Sequence, residues 1–170
     1  MSGDLVNPEF ELHIDEDKAV TYIKECTLEH VENFEKALID TGVDQADEIN
    51  EVNLKEKLCN GLYSRALTIP KGTFITGRLH LKDYIDIFVS GDLTVKSFFA
   101  DGTIEETKRL NEFTFLEGKA GRKRVLIAHE DSLWITVDPT EATDIEGITE
   151  RISSFNSTEY KMLKEGEKCQ

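Results

Sequence analysis

The chain has 170 residues, 39% of them apolar, and a formal net charge of −14 at pH 7. That length and apolar content suffice for one modest domain with its own core. The three cysteines, Cys26, Cys59 and Cys169, are odd in number and form no CxxC pair, which excludes a disulfide framework and makes a reducing cytoplasm the expected location. No apolar run is long enough to span a bilayer and the opening MSGDLVNPEFELHIDED has no leader-like region, so a soluble chain without membrane contact is expected. A surface this acidic also disfavours nucleic acid as a partner.

The acidity belongs to an N-terminal arm, residues 1–58. Residues 1–56 hold 16 acids and 4 bases, residues 57–140 hold 11 and 12, and residues 141–170 hold 7 and 4. Within the arm Val20, Ile23, Val31, Phe34 and Leu38 recur mostly at three- and four-residue steps, and Cys26 and Ala37 widen the stripe. Asp15 and Asp17 place negative charge where a helix dipole favours it, and Gly42 offers a left-handed stop. The spacing predicts one amphipathic helix across this stretch and a second, shorter one over 44–51. The stripe must be covered by the chain's own sheet or by a neighbouring subunit. The acidic face is read as solvated, and as the surface that would meet a basic partner or imitate a phosphate backbone. His13 and His30 are read as surface histidines.

From Gly61 the period changes to two. Strands are predicted at 62–69, 73–79, 85–89, 93–99, 112–116, 124–128 and 133–137, separated by turns at 70–72, 90–92, 100–102 and 117–118. Many short strands without interleaved helices indicate an all-β sandwich or barrel over 59–140. His129, Glu130 and Asp131 fall at a predicted strand-to-strand turn, Trp134 reads as core packing, and the cluster Arg122, Lys123 and Arg124 sits beside a turn, with Lys123 expected to be exposed. In the last segment, 141–170, the spacing of Ile145, Ile148 and Ile152 predicts a short helix over 144–153, and the polar stretch 155–170 is expected to fray. Asn156-Ser157-Thr158 has the form of a glycosylation acceptor without the secretion that would give it meaning. Phosphate loops, dinucleotide fingerprints, GxSxG and HExxH are all missing.

The most specific spacing starts at Gly72: five residues lead to Arg78, one to His80, three to Tyr84 and six to Gly91. This resembles the first motif of the cupins, jelly-roll proteins in which it reads G-x5-H-x-H-x3/4-E-x6-G, with Arg78 and Tyr84 in place of the first histidine and the glutamate. In the fainter second motif Gly121 takes the second glycine, which puts Arg124 at the histidine position and Ala128 at the asparagine. The strings 61–80, 118–124 and 128–144 further resemble small cupin-like proteins encoded by tailed bacteriophages. There the last string usually reads HPT where this chain has Asp138-Pro139-Thr140, and a histidine often stands at Tyr84.

The resemblance implies a mainly β fold: a cupin-like jelly-roll β-barrel or sandwich with an N-terminal amphipathic helical arm and a short C-terminal helix. It also implies a site at the barrel mouth. A cupin metal centre needs three imidazoles and a carboxylate, and His80 alone survives, with Asp83, Asp86, His129 and Asp138 as conceivable recruits, so neither metal nor other cofactor is expected. Arg78 and Arg124 at the vacated positions point instead to bidentate recognition of an anion such as a nucleotide, sugar phosphate or carboxylic acid. The candidate ligand-binding residues are Arg78, His80, Tyr84, Asp86 and Arg124. The main reading is a binding or assembly module, leaning away from catalysis, in the host cytoplasm or the virion if phage-encoded. Two alternatives stay open: a metal-independent sugar-nucleotide epimerase using His80 as base and Tyr84 as acid, and a virion component or inhibitor of a host protein acting through the acidic arm. A homo-oligomer, a dimer before a trimer, is expected.

Overall fold

The computed structural model describes residues 10–13, 15–40 and 53–168, the first four as backbone. Strand Phe10–His13 (β1) precedes helices Glu16–Glu25 (α1) and Leu28–Asp40 (α2). Strands Leu54–Cys59 (β2), Leu62–Ile69 (β3), Thr73–Thr76 (β4), Leu79–His80 (β5), Tyr84–Phe99 (β6), Lys108–Leu110 (β7), Thr114–Gly118 (β8) and Arg122–Pro139 (β9) follow, then Ile148–Ile152 (α3), Ser153–Ser154 (β10) and Ser157–Lys168 (α4). Among the described residues no helix is long and apolar enough to cross a membrane.

The fold is mainly β, and its pairing defines a jelly roll. The first half of β6 lies between β8 and the second half of β9, which pairs on with β3 and then β2. The second half of β6 lies between β7 and the first half of β9, which pairs on with β4 and then β1. Two antiparallel layers thus share two strands that cross from one to the other, the double-sheet solution to burying alternating side chains. The path ends at β1 and β2; among the described residues no pairing joins those edges to β7 or β8, so the assembly is an open sandwich and not a closed barrel.

The strands expected separately at 85–89 and 93–99 are one bent strand, and so are 124–128 and 133–137. Where β6 changes layer its register against β9 shifts between Phe88 and Leu93, and Gly91 adopts φ +108°. A Cβ there would lie 2.1 Å from Ser132 Oγ, whose hydroxyl accepts from Asp92 N at 3.1 Å and donates to Glu130 O at 2.8 Å. Glycine therefore lets the two corners meet. The expected turn at 129–131 is likewise the corner of β9, where His129 bonds Glu16 of α1 through Nδ1 (3.1 Å) and Thr94 Oγ1 through Nε2 (2.8 Å).

Side-chain alternation builds two cores. Between the layers pack Leu67, Ile69, Phe88, Val95, Leu126 and Trp134. On the outer side of the β4 layer Phe74, Phe98, Val125 and Ile127 meet Ala19, Ile23, Cys26, Leu28 and Val31 of the helical arm. The arm's stripe is therefore covered by its own sheet. It is two helices, not one: Cys26 is extended (φ −68°, ψ 153°), Lys96 donates from the sheet to the carbonyls of Lys24 (2.9 Å) and Cys26 (2.8 Å) at the end of α1, and Thr27 Oγ1 accepts from His30 N (3.3 Å) at the start of α2. These bonds satisfy the end groups that a break exposes. Ala37 is exposed and does not join the stripe, and His30 is exposed as expected. The helix expected over 44–51, Gly42, and the side chain of His13 lie outside the described residues.

Other expectations are corrected. Lys123 is fully buried: Nζ lies 2.7 Å from Glu35 Oε1 in α2 and donates to Phe155 O at 3.1 Å. A lysine beside a turn reads as solvated, yet β9 alternation sends this one beneath α2, where a full-length acid meets it. Burial pushes the Glu35 carboxyl above its ordinary range against the pull of Lys123. Arg122 is also buried, paired with Glu105 at 2.8 Å. The stretch expected to fray forms α4, because Asn156 Oδ1 accepts from Glu159 N (2.9 Å) and Glu32 of α2 accepts from Ser157 N (2.6 Å), capping its first turn from within and without. The helix expected over 144–153 shrinks to α3.

Candidate functional site

At one mouth of the sandwich, between the inner faces of β3, β6 and β9, lies a cavity of about 70 Å³ lined by Arg65, His80, Tyr84, Asp86, Arg124 and Trp134, with apolar Leu67, Ile69, Ile75 and Leu126 as its floor. His80 is held in place by the pairing of β5 with β10 and by a bond of Nδ1 to Asp138 Oδ1 at 2.7 Å. A carboxylate on one ring nitrogen fixes the ring orientation and leaves the other nitrogen for a ligand. Tyr84 opens β6 opposite Gly118, and a Cβ on Gly118 would lie 2.4 Å from the tyrosine ring. The missing side chain lets the phenol lie flat against His80, with ring centroids 3.7 Å apart and planes within 16°. Burial pushes the Tyr84 phenol upward against the pull of Arg124, so it stays protonated at neutral pH and able to donate.

Arg124, three residues beyond the tight turn at Gly121, reaches into the cavity. It donates to Tyr84 Oη at 3.0 Å and forms an ion pair with Asp86, while its guanidinium lies 5.7 Å from the Tyr84 ring centre and 5.6 Å from that of Trp134. Asp86, 1% exposed, also accepts from Trp134 Nε1 at 2.9 Å and Thr136 Oγ1 at 2.7 Å. A buried carboxylate with a cation and two neutral donors is electrostatically satisfied. Trp134 is core packing, as expected, but its indole N–H belongs to the site.

Four of the five candidates, His80, Tyr84, Asp86 and Arg124, line one cavity. Arg78 does not. It is buried, its Nη2 reaching Ser153 O at 3.5 Å, and it lines a smaller cavity of about 40 Å³ with Tyr63, Arg65, His80 and Asp138. Arg65, His80 and Thr136 border both spaces, so the two cavities adjoin. Sequence reasoning missed Arg65 and the structural parts of Trp134, Thr136 and Asp138. The signal was present: Trp134, Thr136 and Asp138 share the parity of one strand face, and two polar residues on the face of a core tryptophan indicate a lined cavity.

The residues at the cupin ligand positions do not fit a transition metal. Arg78 and Arg124 are cations, Tyr84 is a protonated phenol engaged by Arg124, and only His80 carries a suitable lone pair. The other candidates are dispersed: Asp83 accepts from Ala120 N at 2.9 Å, His129 sits at the β9 corner, Asp86 holds Arg124 and Asp138 holds His80. Among the described residues no three His, Cys, Asp or Glu side chains are grouped to hold a metal ion.

No family model and no curated protein matches the sequence. Several solved structures are similar in fold. KdgF from Halomonas sp. is 19% identical, over 56% of this chain and 86% of that one, with a TM-score of 0.45. A cupin-2 domain containing protein from Shewanella frigidimarina NCIMB 400 is 14% identical over 51% and 78%, with a TM-score of 0.39. Fe(II)-HppE with an alternative substrate is 8% identical over 50% of this chain and 48% of that one, with a TM-score of 0.42, so the chain spans about half the length of that protein. The likeness concerns fold alone, and the jelly roll rests on the strand pairing itself.

Proposed function

We propose that this protein is a cupin-like binding module that takes a small anionic ligand in the cavity between His80, Tyr84 and Arg124. The carrying observation is the make-up of the adjoining walls: three guanidinium groups, Arg65, Arg78 and Arg124, line them together with the Tyr84 hydroxyl, a donor-rich lining of the kind that recognises carboxylates and oxyanions. The size narrows the ligand. Pockets for drug-sized molecules measure about 300–1,000 Å³, so about 70 Å³ suits a short carboxylate or an inorganic oxyanion better than a nucleotide or sugar phosphate. The protonated Tyr84 supplies a directional hydrogen bond, and the His80 ring shapes the wall beside it.

The same arrangement argues for binding over epimerisation. A base and an acid that exchange protons across a substrate carbon must flank it, and here the His80 and Tyr84 rings touch face to face with no space between them. The resemblance of 61–80, 118–124 and 128–144 to phage-encoded proteins supports a phage source, and as an assembly module the chain would use surfaces away from the cavity. A thermal-shift panel running from formate and acetate through phosphate to nucleotides, at matched ionic strength, tests the ligand reading. Stabilisation by the small anions and none by the nucleotides is expected. No response beyond that of sodium chloride refutes it.

A further inference from the structure

The two outer faces of the sandwich are treated differently. α1 and α2 cover the β4 layer, whereas among the described residues nothing packs on the outer face of the layer β2-β3-β9-β6-β8. That face is apolar. Phe113 and Phe115 are 60% and 65% exposed, Ile85 50% and Leu62 53%, and Phe113 and Phe115 meet edge to face at 5.1 Å. Neighbouring Ile87, Ile135 and Val137 are partly exposed. With aromatic side chains each presenting about 150–250 Å², the face leaves on the order of 500 Å² of apolar surface, at the top of the range for monomers and over half of the roughly 800 Å² each partner contributes to a standard interface.

The strand register orders this surface into rows. One row runs Lys57, Ser64, Val137, Ile85, Glu117 from the β2 edge to the β8 edge. The next runs Lys55, Ala66, Ile135, Ile87, Phe115. Each begins on an exposed lysine and crosses to the far edge, where Glu117, already held by Lys119, ends the first and a phenylalanine the second. A second copy turned about a two-fold axis parallel to the strands lays each row on itself reversed, so Lys57 faces the other copy's Glu117 and Lys55 faces its Phe115 ring. An axis across the strands would set lysine against lysine. We infer that this face is an isologous dimer interface between two copies of this chain, packed sheet to sheet about a two-fold axis parallel to the strands. The inference rests on the assembly side of the proposed function and does not depend on the ligand.

Sedimentation velocity across protein concentrations tests it on the full chain. Wild type should be a dimer and Phe115→Glu a folded monomer, since Phe115 is at an exposed edge. Lys57→Glu and Glu117→Lys should each raise the dimer dissociation constant about tenfold at low salt by placing like charges opposite, and mixing the two single variants should restore association as a heterodimer. A monomeric wild type overturns the proposal, as does a dimer that Phe115→Glu leaves intact or single variants that do not rescue each other. Crosslinks joining this face to residues 41–52 of the same chain would assign it to an internal segment and equally overturn the proposal. None of these results bears on anion binding, so failure here and failure of the ligand reading are separable.

Discussion

Replacing Asp86 by alanine probes the electrostatics of the cavity most severely. The carboxylate is 1% exposed and serves Arg124, Trp134 Nε1 and Thr136 Oγ1 together. Removing it leaves a buried guanidinium without its counter-charge and two neutral donors without an acceptor. Breaking a buried ion pair from one side costs about 3–5 kcal/mol, a large part of a typical domain's stability of about 5–15 kcal/mol. For a chain of this size that corresponds to a fall in melting temperature of roughly 6–20 °C. Urea titration followed by circular dichroism reads the loss. The double variant Asp86→Asn/Arg124→Gln keeps polar hydrogen-bonding groups without charge and should remain within about 1–2 kcal/mol of wild type, because the desolvation cost disappears with the pair. An Asp86→Ala variant within about 1 kcal/mol of wild type would refute the reasoning, since surface substitutions already reach about 0.5 kcal/mol.

Four further outcomes are expected. Burial pushes the Cys26 thiol up to about 11 and the Tyr22 phenol to about 12. The unfolded chain releases these protons at lower pH than the native one, so stability should hold below about pH 9 and decline as pH rises toward 12. Mass mapping after brief alkylation at pH 8 should find Cys59, which is exposed, modified and Cys26 intact until denaturant is added. Gly91→Ala should destabilise by about 2–5 kcal/mol through backbone strain and overpacking at the strand corners, measured by the same urea titration. Elemental analysis of the purified protein should find no stoichiometric iron, manganese, nickel or zinc; one equivalent lost on His80→Ala would contradict the reading of the site.

Local signals carried the fold further than the site. Period-two patterning placed most strands, and the Gly72-to-Gly91 spacing pointed to the jelly roll through its resemblance to the cupin motif. The unity of β6 and of β9 was hidden: a bend enforced by Gly91 against Ser132 looks in sequence like a turn between two strands. The helical arm's break at Cys26 was hidden for a related reason, since the groups that satisfy it include Lys96 on a distant strand. The burial of Lys123 depends on Glu35, 88 residues away, and no local pattern distinguishes a lysine with a buried partner from a solvated one. At the site, motif spacing brought His80, Tyr84, Asp86 and Arg124 together. It could not show that Asp86 already engages Arg124, or that Arg78 turns to the adjoining cavity, because both depend on which way side chains leave their strands.

Trp134 is the chain's one tryptophan, and its indole N–H is bonded to Asp86 in the cavity wall at 2.9 Å, so a single resonance reports on the site. Titrating formate, acetate or phosphate into nitrogen-15-labelled protein should move that indole peak along a saturable curve at constant ionic strength. The Asp86→Asn/Arg124→Gln variant, folded but without the cation, should show no such curve. An indole resonance that stays fixed through every small anion, or that moves equally in the double variant, would contradict the proposal that this cavity binds an anionic ligand.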